Sequence, residues 1–184
     1  MKILQLNIWN GRLDKQLVSL LEREQADILC LQEVVFLPGG SSFFFEDLEE
    51  IQKHAGYEFA YHTPSHHFKL MKREAKWGNA IVSRLPFRET NDVYTYKEAT
   101  TDFDFLEEAD YNRGRALQHA VIETENGLLN ILNHHGYHIG SHKDGDEETW
   151  RQCGLIADYA SGLEGKVVLC GDFNLTPTSP SLNL

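Results

Sequence analysis

The feature that most constrains this chain is an Asn-Gly pair between two apolar runs, in the middle of an otherwise alternating pattern of strand and helix signals. Ala116 to Thr124 and Leu128 to Asn133 flank Glu125-Asn126-Gly127. Asn-Gly is the strongest short-range hairpin signal, so the two runs are predicted to be antiparallel neighbours. Elsewhere the hydrophobic period keeps changing. Lys2 to Ile8 reads as a strand. Leu13, Leu17, Leu20 and Leu21 share one helical face, with Asp14 near the helix start. Asp27 to Leu31 is a short apolar strand, and Phe44, Leu48, Ile51 and Ala55 recur at helical spacing up to a stop at Gly56. Tyr57 to Tyr61 and Asn79 to Ser83 are strand-like. Glu147 to Leu163 is predicted as a helix with Trp150, Ile156, Tyr159 and Ala160 inward, followed by a buried strand from Val167 to Cys170. Ser179-Pro180 reads as an N-cap with a first-turn proline. Helices alternating with strands around a hairpin favour mixed sheets with helices outside over a purely parallel sheet. No Gly-rich dinucleotide fingerprint or P-loop follows the first strand.

Composition narrows the function. The 184 residues suit one domain, and 41% hydrophobic content supports a sizeable core. Lys and Arg number 17 against 28 Asp and Glu, a net charge of −11. A basic coat for nucleic acid is thereby excluded, since phosphate binding of that kind needs clustered cations. An acidic pocket that first recruits a cation is compatible with this charge. Three Cys cannot all pair with one another, and all three read as reduced core thiols. Gln5, Asn7 and Asn10 interrupt the N-terminal apolar stretch too early for a signal peptide. No segment has the length to span a bilayer, so a cytoplasmic, soluble chain is expected, with no obligate protein partner implied.

Two apolar runs end alike. Leu29-Cys30-Leu31-Gln32 delivers Glu33, and Val167-Val168-Leu169-Cys170-Gly171 delivers Asp172. An acid directly after a buried strand stands at a sheet rim, where ligand sites form. With the amides of Asn7 and Asn174, these acids suggest one oxygen-rich site suited to a hard cation such as Mg²⁺. Asp172 and Asn174 project from one short turn, where a carboxylate and an amide can orient a water and hold a phosphoryl oxygen; an ordinary Asx turn has the same pattern. His134-His135 follows a strand, and a His there can donate to developing negative charge. His138 and His142 invite a Zn²⁺ reading, but Gly136 and Gly140 break any helix that would align them with His134, and no HExxH framework accompanies them. His62, His66 and His67 are expected to be solvated in a Pro-Ser loop. Lys69, Lys72, Arg73 and Lys76, with Phe68, Met71 and Trp77, form the dense basic cluster, read as a solvated face in preference to a phosphate-facing loop. Asp102, Asp104, Glu107, Glu108 and Asp110 read as an exposed acidic insertion.

In order, Leu6-Asn7-Ile8-Trp9-Asn10, Asp27 to Gln32-Glu33, Gly78-Asn79-Ala80-Ile81-Val82-Ser83-Arg84, Asn133-His134-His135-Gly136 and Gly171-Asp172-Phe173-Asn174 resemble the endonuclease/exonuclease/phosphatase (DNase I-like) superfamily of Mg²⁺-dependent phosphoesterases. The resemblance implies a four-layered α/β/β/α sandwich: two mixed sheets face to face with helices on both outer faces. It makes Glu33 the principal ligand of Mg²⁺ (or Mn²⁺) with Asn7 beside it. His135 becomes the residue that contacts the phosphate and helps the leaving group. Asp172 and Asn174 become the pair that orients the water nucleophile. Arg115 fits a position often basic in the family, and Asn79 matches a frequent Asn; both are carried as substrate-binding candidates. Implied substrates are phosphoesters, whether nucleic acid, phospholipid headgroup or small phosphodiester, with the last two ranked above duplex DNA by the charge of −11. The family pattern ends in Ser-Asp-His, whereas no Asp-His dipeptide occurs in this sequence. The resemblance therefore implies one domain over 1–184 that is incomplete at its C-terminus, with the last strands of the second sheet missing. Loss of a base of that kind costs about 10²–10⁴-fold in rate. The alternative is a non-catalytic phosphoester-binding module or an inactive fragment.

Overall fold

A computed structural model of the chain describes residues 1–39, 47–70, 72–103 and 113–183, which form nine strands and three α-helices. In chain order these are β1 (Ile3–Asn7), α1 (Asp14–Glu24), β2 (Ile28–Phe36), α2 (Leu48–Ala55), β3 (Phe59–Leu70), β4 (Arg73–Ser83), β5 (Glu89–Tyr96), β6 (Thr100–Phe103), β7 (Arg115–Thr124), β8 (Gly127–His135), α3 (Glu147–Ser161) and β9 (Lys166–Asp172). One sheet has the order β1-β2-β4-β3-β6 and the other β5-β7-β8-β9. Both are mixed: β1 with β2 and β8 with β9 run parallel, while β7 and β8 are the antiparallel hairpin that Asn126-Gly127 predicts.

Side-chain alternation decides the layering. Successive residues of a strand face opposite sides. In β2, Leu29 and Leu31 pack outward with Leu17 and Leu21 of α1 and Leu48 and Ile51 of α2. Ile28 and Cys30 face inward and meet Ala120, Ile122, Leu129 and Ile131 of the second sheet. Leu117 and Leu132 point out of that sheet towards Ile156 of α3. A strand buried on both faces reads as a continuous apolar run, as β2 does. Burial of a side chain such as Leu17 or Leu21 contributes about 1.5–3 kcal/mol. The result is the α/β sandwich of two facing mixed sheets with helices outside. No helix among the described residues is long and apolar enough to cross a membrane.

Helix ends follow their caps. Asp47 accepts from Glu50 N at the start of α2, and Gly56 closes it in the left-handed region (φ 68°). At α3, Asp146 and Thr149 form a reciprocal capping box. Ser179 caps a short 3-10 turn, Pro180–Leu182.

Several expectations need correction. His62, His66 and His67 lie within β3, not in a solvated loop, and His66 is fully buried. The sheet pairing of β3 with β4 overrides the local Pro-Ser signal, with a register shift between Pro64 and His66 absorbing it. Leu13, placed on one helical face with Leu17 and Leu21, precedes α1 and is 54% exposed, and Trp150, expected inward, is 49% exposed. The β9 strand is a sheet edge, with Val167 and Leu169 exposed and only Val168 and Cys170 turned to the inter-sheet core. Glu33 does not follow the end of a short strand; β2 continues to Phe36. The strand β5 carries no apolar strand signal, because its run Glu89-Thr90-Asn91-Asp92 is polar, as suits the outermost strand of a sheet. Cys30 is a buried thiol, whereas Cys153 and Cys170 are half-buried, and all three are free. Lys69, Lys72, Arg73 and Lys76 belong to the β3–β4 hairpin. Asp102 falls in β6. Phe44, Met71, Asp104, Glu107, Glu108, Asp110 and the cluster from Gly40 to Ser42 lie outside the described residues.

Candidate active site

Parallel pairing brings strand ends together. Asn7, His135 and Asp172 are the last residues of β1, β8 and β9. His135 and Asp172 are register partners, and Gly136 N donates to Asp172 O at 2.8 Å. Glu33 joins them through a β-bulge: the pairing of β2 with β4 shifts between Leu31 and Val34. Bulges insert a residue, re-aim its side chain and concentrate beside active sites. Glu33 takes φ 57°, the left-handed region that non-glycine residues rarely enter.

Asn7 links the two acids. Its Nδ2 donates to Glu33 Oε1 at 3.1 Å and to Asp172 Oδ2 at 3.0 Å, so one amide bridges carboxylates from the two sheets. Its Oδ1 accepts from Trp9 N at 3.0 Å. Asp172 Oδ1 accepts from Asn174 N at 2.9 Å, the Asx turn expected from the sequence. Asn174 Nδ2 donates to Gly136 O at 3.2 Å, while its Oδ1 accepts from Lys143 Nζ at 3.0 Å. Asn7, Glu33, Asp172 and Asn174 are all half-buried.

Period-two alternation separates the two histidines. His134 points out of the sheet, is buried, approaches Ala116 O through Nδ1 at 3.2 Å and packs on Phe173. His135 points to the inner side, beside Arg115, whose Nη1 lies 3.4 Å from His135 Nδ1. Arginine is always a donor, so His135 Nδ1 is the acceptor and the neutral ring carries its proton on Nε2. Burial, then the charge of Arg115, holds His135 well below the usual histidine range. Burial also lowers Lys143, opposed by Asp172 and aided by Arg115, and lowers His138, aided by Lys143 and Arg115. Lys143 thus sets a cation near Asp172, and Arg115 one beside His135, in a chain whose net charge is −11.

Two close approaches hold this geometry. A Cβ on Gly136 would stand 2.5 Å from Phe173 O, and one on Gly171 would stand 2.3 Å from His134 O. Only glycine lets the Gly171-Asp172-Phe173 segment lie this close to β8.

Of the residues singled out in the sequence, Asn7, Glu33, Asp172, Asn174, His135 and Arg115 come together at this end of the sandwich. Asn79 is buried and donates to Ala116 O at 3.4 Å, next to Arg115 in β7. Sequence reasoning missed Lys143, a single loop cation with no local signal. It also missed a buried network in which Gln32 Nε2 donates to Asn133 Oδ1 (2.6 Å) and Asn133 Nδ2 donates to Leu31 O, Ala80 O and Gln118 Oε1. Amides at inward positions of apolar strands were the available clue. Among the described residues, no group of three or more His, Cys, Asp or Glu side chains forms a metal cluster, His134, His138 and His142 included.

The architecture is that of the DNase I-like fold. A family model described as Endonuclease/Exonuclease/phosphatase family matches residues 4–184, and the chain belongs to that family. It is 30% identical to the Arabidopsis thaliana Carbon catabolite repressor protein 4 homolog 6 over 95% of this chain and 22% of that protein. Among solved structures it resembles D. rerio TDP2 complexed with single strand DNA product (TM-score 0.67, 15% identity, 97% of this chain and 62% of that one). It also resembles the Bacteroides thetaiotaomicron mannosyl-6-phosphatase Bt3783 (TM-score 0.64, 15% identity, 99% and 67%). The chain therefore spans under a quarter of the curated relative and about two thirds of these solved chains.

Proposed function

We propose that this chain carries the centre of a metal-dependent phosphoester hydrolase. The observation that carries the reading is the Asn7 amide bridging Glu33 and Asp172 from different sheets, with Asn174, Lys143, His135 and Arg115 around them. Family membership supports the hydrolase class. The donor set fits a hard divalent cation: two half-buried carboxylates drawn to one point, the ligands Mg²⁺ or Mn²⁺ takes in small number. Glu33 would hold it, with Asn7 beside it fixing that carboxylate through Nδ2, and when bound it would neutralise phosphoryl charge and polarise a phosphoryl oxygen.

The chain's own residues supply the rest. Asp172 accepts a proton from water as the water oxygen attacks phosphorus, and Asn174 orients that water. Lys143 and Arg115 offset charge on the phosphoryl oxygens. His135, neutral because burial and Arg115 disfavour its cation, donates a hydrogen bond from Nε2 to a phosphoryl or leaving oxygen. The P–O ester bond breaks, and the leaving oxygen takes its proton from solvent. Soluble phosphodiesters and headgroup-sized substrates rank above duplex DNA, given a net charge of −11.

Hydrolysis of bis-p-nitrophenyl phosphate with and without Mg²⁺ tests the reading. Mg²⁺-dependent turnover that disappears in Glu33→Gln is the expected result. Mg²⁺-dependent binding without turnover overturns the hydrolase in favour of a non-catalytic phosphoester-binding module.

A further inference from the structure

Cys30 of β2 and Cys170 of β9 belong to different sheets, yet their thiols share a hydrogen bond across the inter-sheet core. Both pack in one apolar cluster with Ile28, Ile81 and Ile131. Sheets packed face to face normally stand about 10 Å apart. At this corner Cα atoms of β2 and β9 come within 8 Å of each other. The pinch continues just beyond the thiols, where the Asn7 amide draws Glu33 and Asp172 together. The two cysteines differ in their surroundings. Cys30 is 0% exposed and sits in a strand paired on both sides, opposite Gln5 of β1 and Ile81 of β4. Cys170 is half-buried on an edge strand, paired on one side, opposite Asn133 of β8. Cys153, the third thiol, lies on α3, outside the second sheet.

We propose that Cys30 and Cys170 are an oxidation site, closed to a disulfide by hydrogen peroxide, and that this bond resets the spacing of Glu33 and Asp172. The disulfide is independent of the phosphoester reading; its effect on turnover rests on that reading. Peroxide meets the half-buried Cys170 first. The sulfur attacks one peroxide oxygen, the O–O bond breaks, and Cys170 becomes a sulfenic acid as one water leaves. The Cys30 sulfur then attacks the Cys170 sulfur, the S–O bond breaks, and the departing oxygen takes the Cys30 proton to leave as a second water. Two thiols and one peroxide thus give one disulfide and two waters. A sulfenic acid with a second thiol beside it condenses in this way. The bond holds its sulfurs about 2.05 Å apart, far closer than a thiol hydrogen bond does. β2 is fixed between two neighbours, so β9, held on one side only, makes the move. Asp172 lies two residues beyond Cys170 and shifts with it, relative to Asn7 and Glu33.

The test treats reduced wild type with hydrogen peroxide and maps its non-reduced tryptic peptides by mass spectrometry, with reversal by dithiothreitol. The expected result is one linked pair of peptides, carrying Cys30 and Cys170, with Cys153 still a free thiol. The cross-link joins residues far apart in sequence, so the urea midpoint rises. Turnover of bis-p-nitrophenyl phosphate falls about 10²-fold, the cost of displacing a reacting group by about 1 Å, and returns with dithiothreitol. A higher midpoint with lower turnover separates the disulfide from oxidative damage, which lowers both. Cys170→Ser keeps the reduced-state turnover and shows neither change, Cys30→Ala behaves likewise, and Cys153→Ser responds as wild type does. Peroxide-treated wild type with Cys30 and Cys170 unlinked, or linked only to Cys153, overturns the site. A linked protein with unchanged turnover overturns the effect on the carboxylates. If the reduced protein shows no Mg²⁺-dependent turnover, the hydrolase reading fails while the peptide map still decides the disulfide. The Asn174 amide resonance, which reports its bond to Asp172 Oδ1, then decides the shift of Asp172: displacement on oxidation supports it and constancy overturns it.

Discussion

Gln32 Nε2 donates to Asn133 Oδ1 across 2.6 Å, tying the two sheets together one residue before Glu33 and two before His135. The Asn133 side chain meets four polar partners without reaching solvent. Replacing Asn133 with Ala strands several buried polar groups at once. We expect a loss of about 2–4 kcal/mol in unfolding free energy, since each orphaned buried group costs about 1–3 kcal/mol. Urea unfolding measures it, and a change below about 0.5 kcal/mol would show that the network is incidental.

The spacing between Gly136 and Phe173 carries the second expectation. Gly136→Ala places a methyl 2.5 Å from a backbone carbonyl, which cannot move as a flexible side chain does. Asp172 and Asn174 must shift away from His135, at an overpacking cost of about 1–3 kcal/mol. Mg²⁺-dependent turnover should fall more than the folded population does. A variant with wild-type turnover would show that the strand ends need no such close approach.

His135 gives a kinetic expectation. Removing one positioned hydrogen-bond donor from a developing charge costs about 10²–10³-fold in rate. His135→Ala should lower kcat by that factor and change KM little. A rise in KM at constant kcat would instead assign His135 to ground-state binding.

Buried histidines set the acid limit of the fold. Burial, then the charge of Arg113, lowers His66 to about 3, and burial lowers His134 to about 4. An unfolded histidine titrates near 6.5. Between these values the unfolded chain binds protons that the folded chain refuses. Stability is therefore fully retained above pH 6.5 and falls as pH drops from there, by up to about 1.4 kcal/mol per pH unit for each ring. Urea midpoints at pH 7.5, 6.0 and 5.0 should be level above 6.5 and decline below it. A level profile down to pH 5.0 would place these rings in contact with water.

Much of this was readable from local pattern. Asn126-Gly127 announced the β7–β8 hairpin, Gly56 the end of α2, and the apolar run of β2 a strand covered on both faces. The ordered motifs ending in Glu33, His135 and Asp172 picked out residues that the fold then gathered. Errors fell where a distant partner decides. Nothing near His66 reports that β4 and β6 will flank its strand, and nothing in Val167 or Leu169 reports that β9 is an edge.

What the sequence by itself determined is the set of elements and the chemical groups at their ends, because periodicity, caps and turn residues act over a few neighbouring positions. Only the tertiary structure decided how those groups meet. The bulge that turns Glu33, the Asn7 amide between two acids, Lys143 on Asn174 and the Cys30 thiol against Cys170 all depend on contacts between distant segments. Such contacts exist only once both sheets have closed on each other.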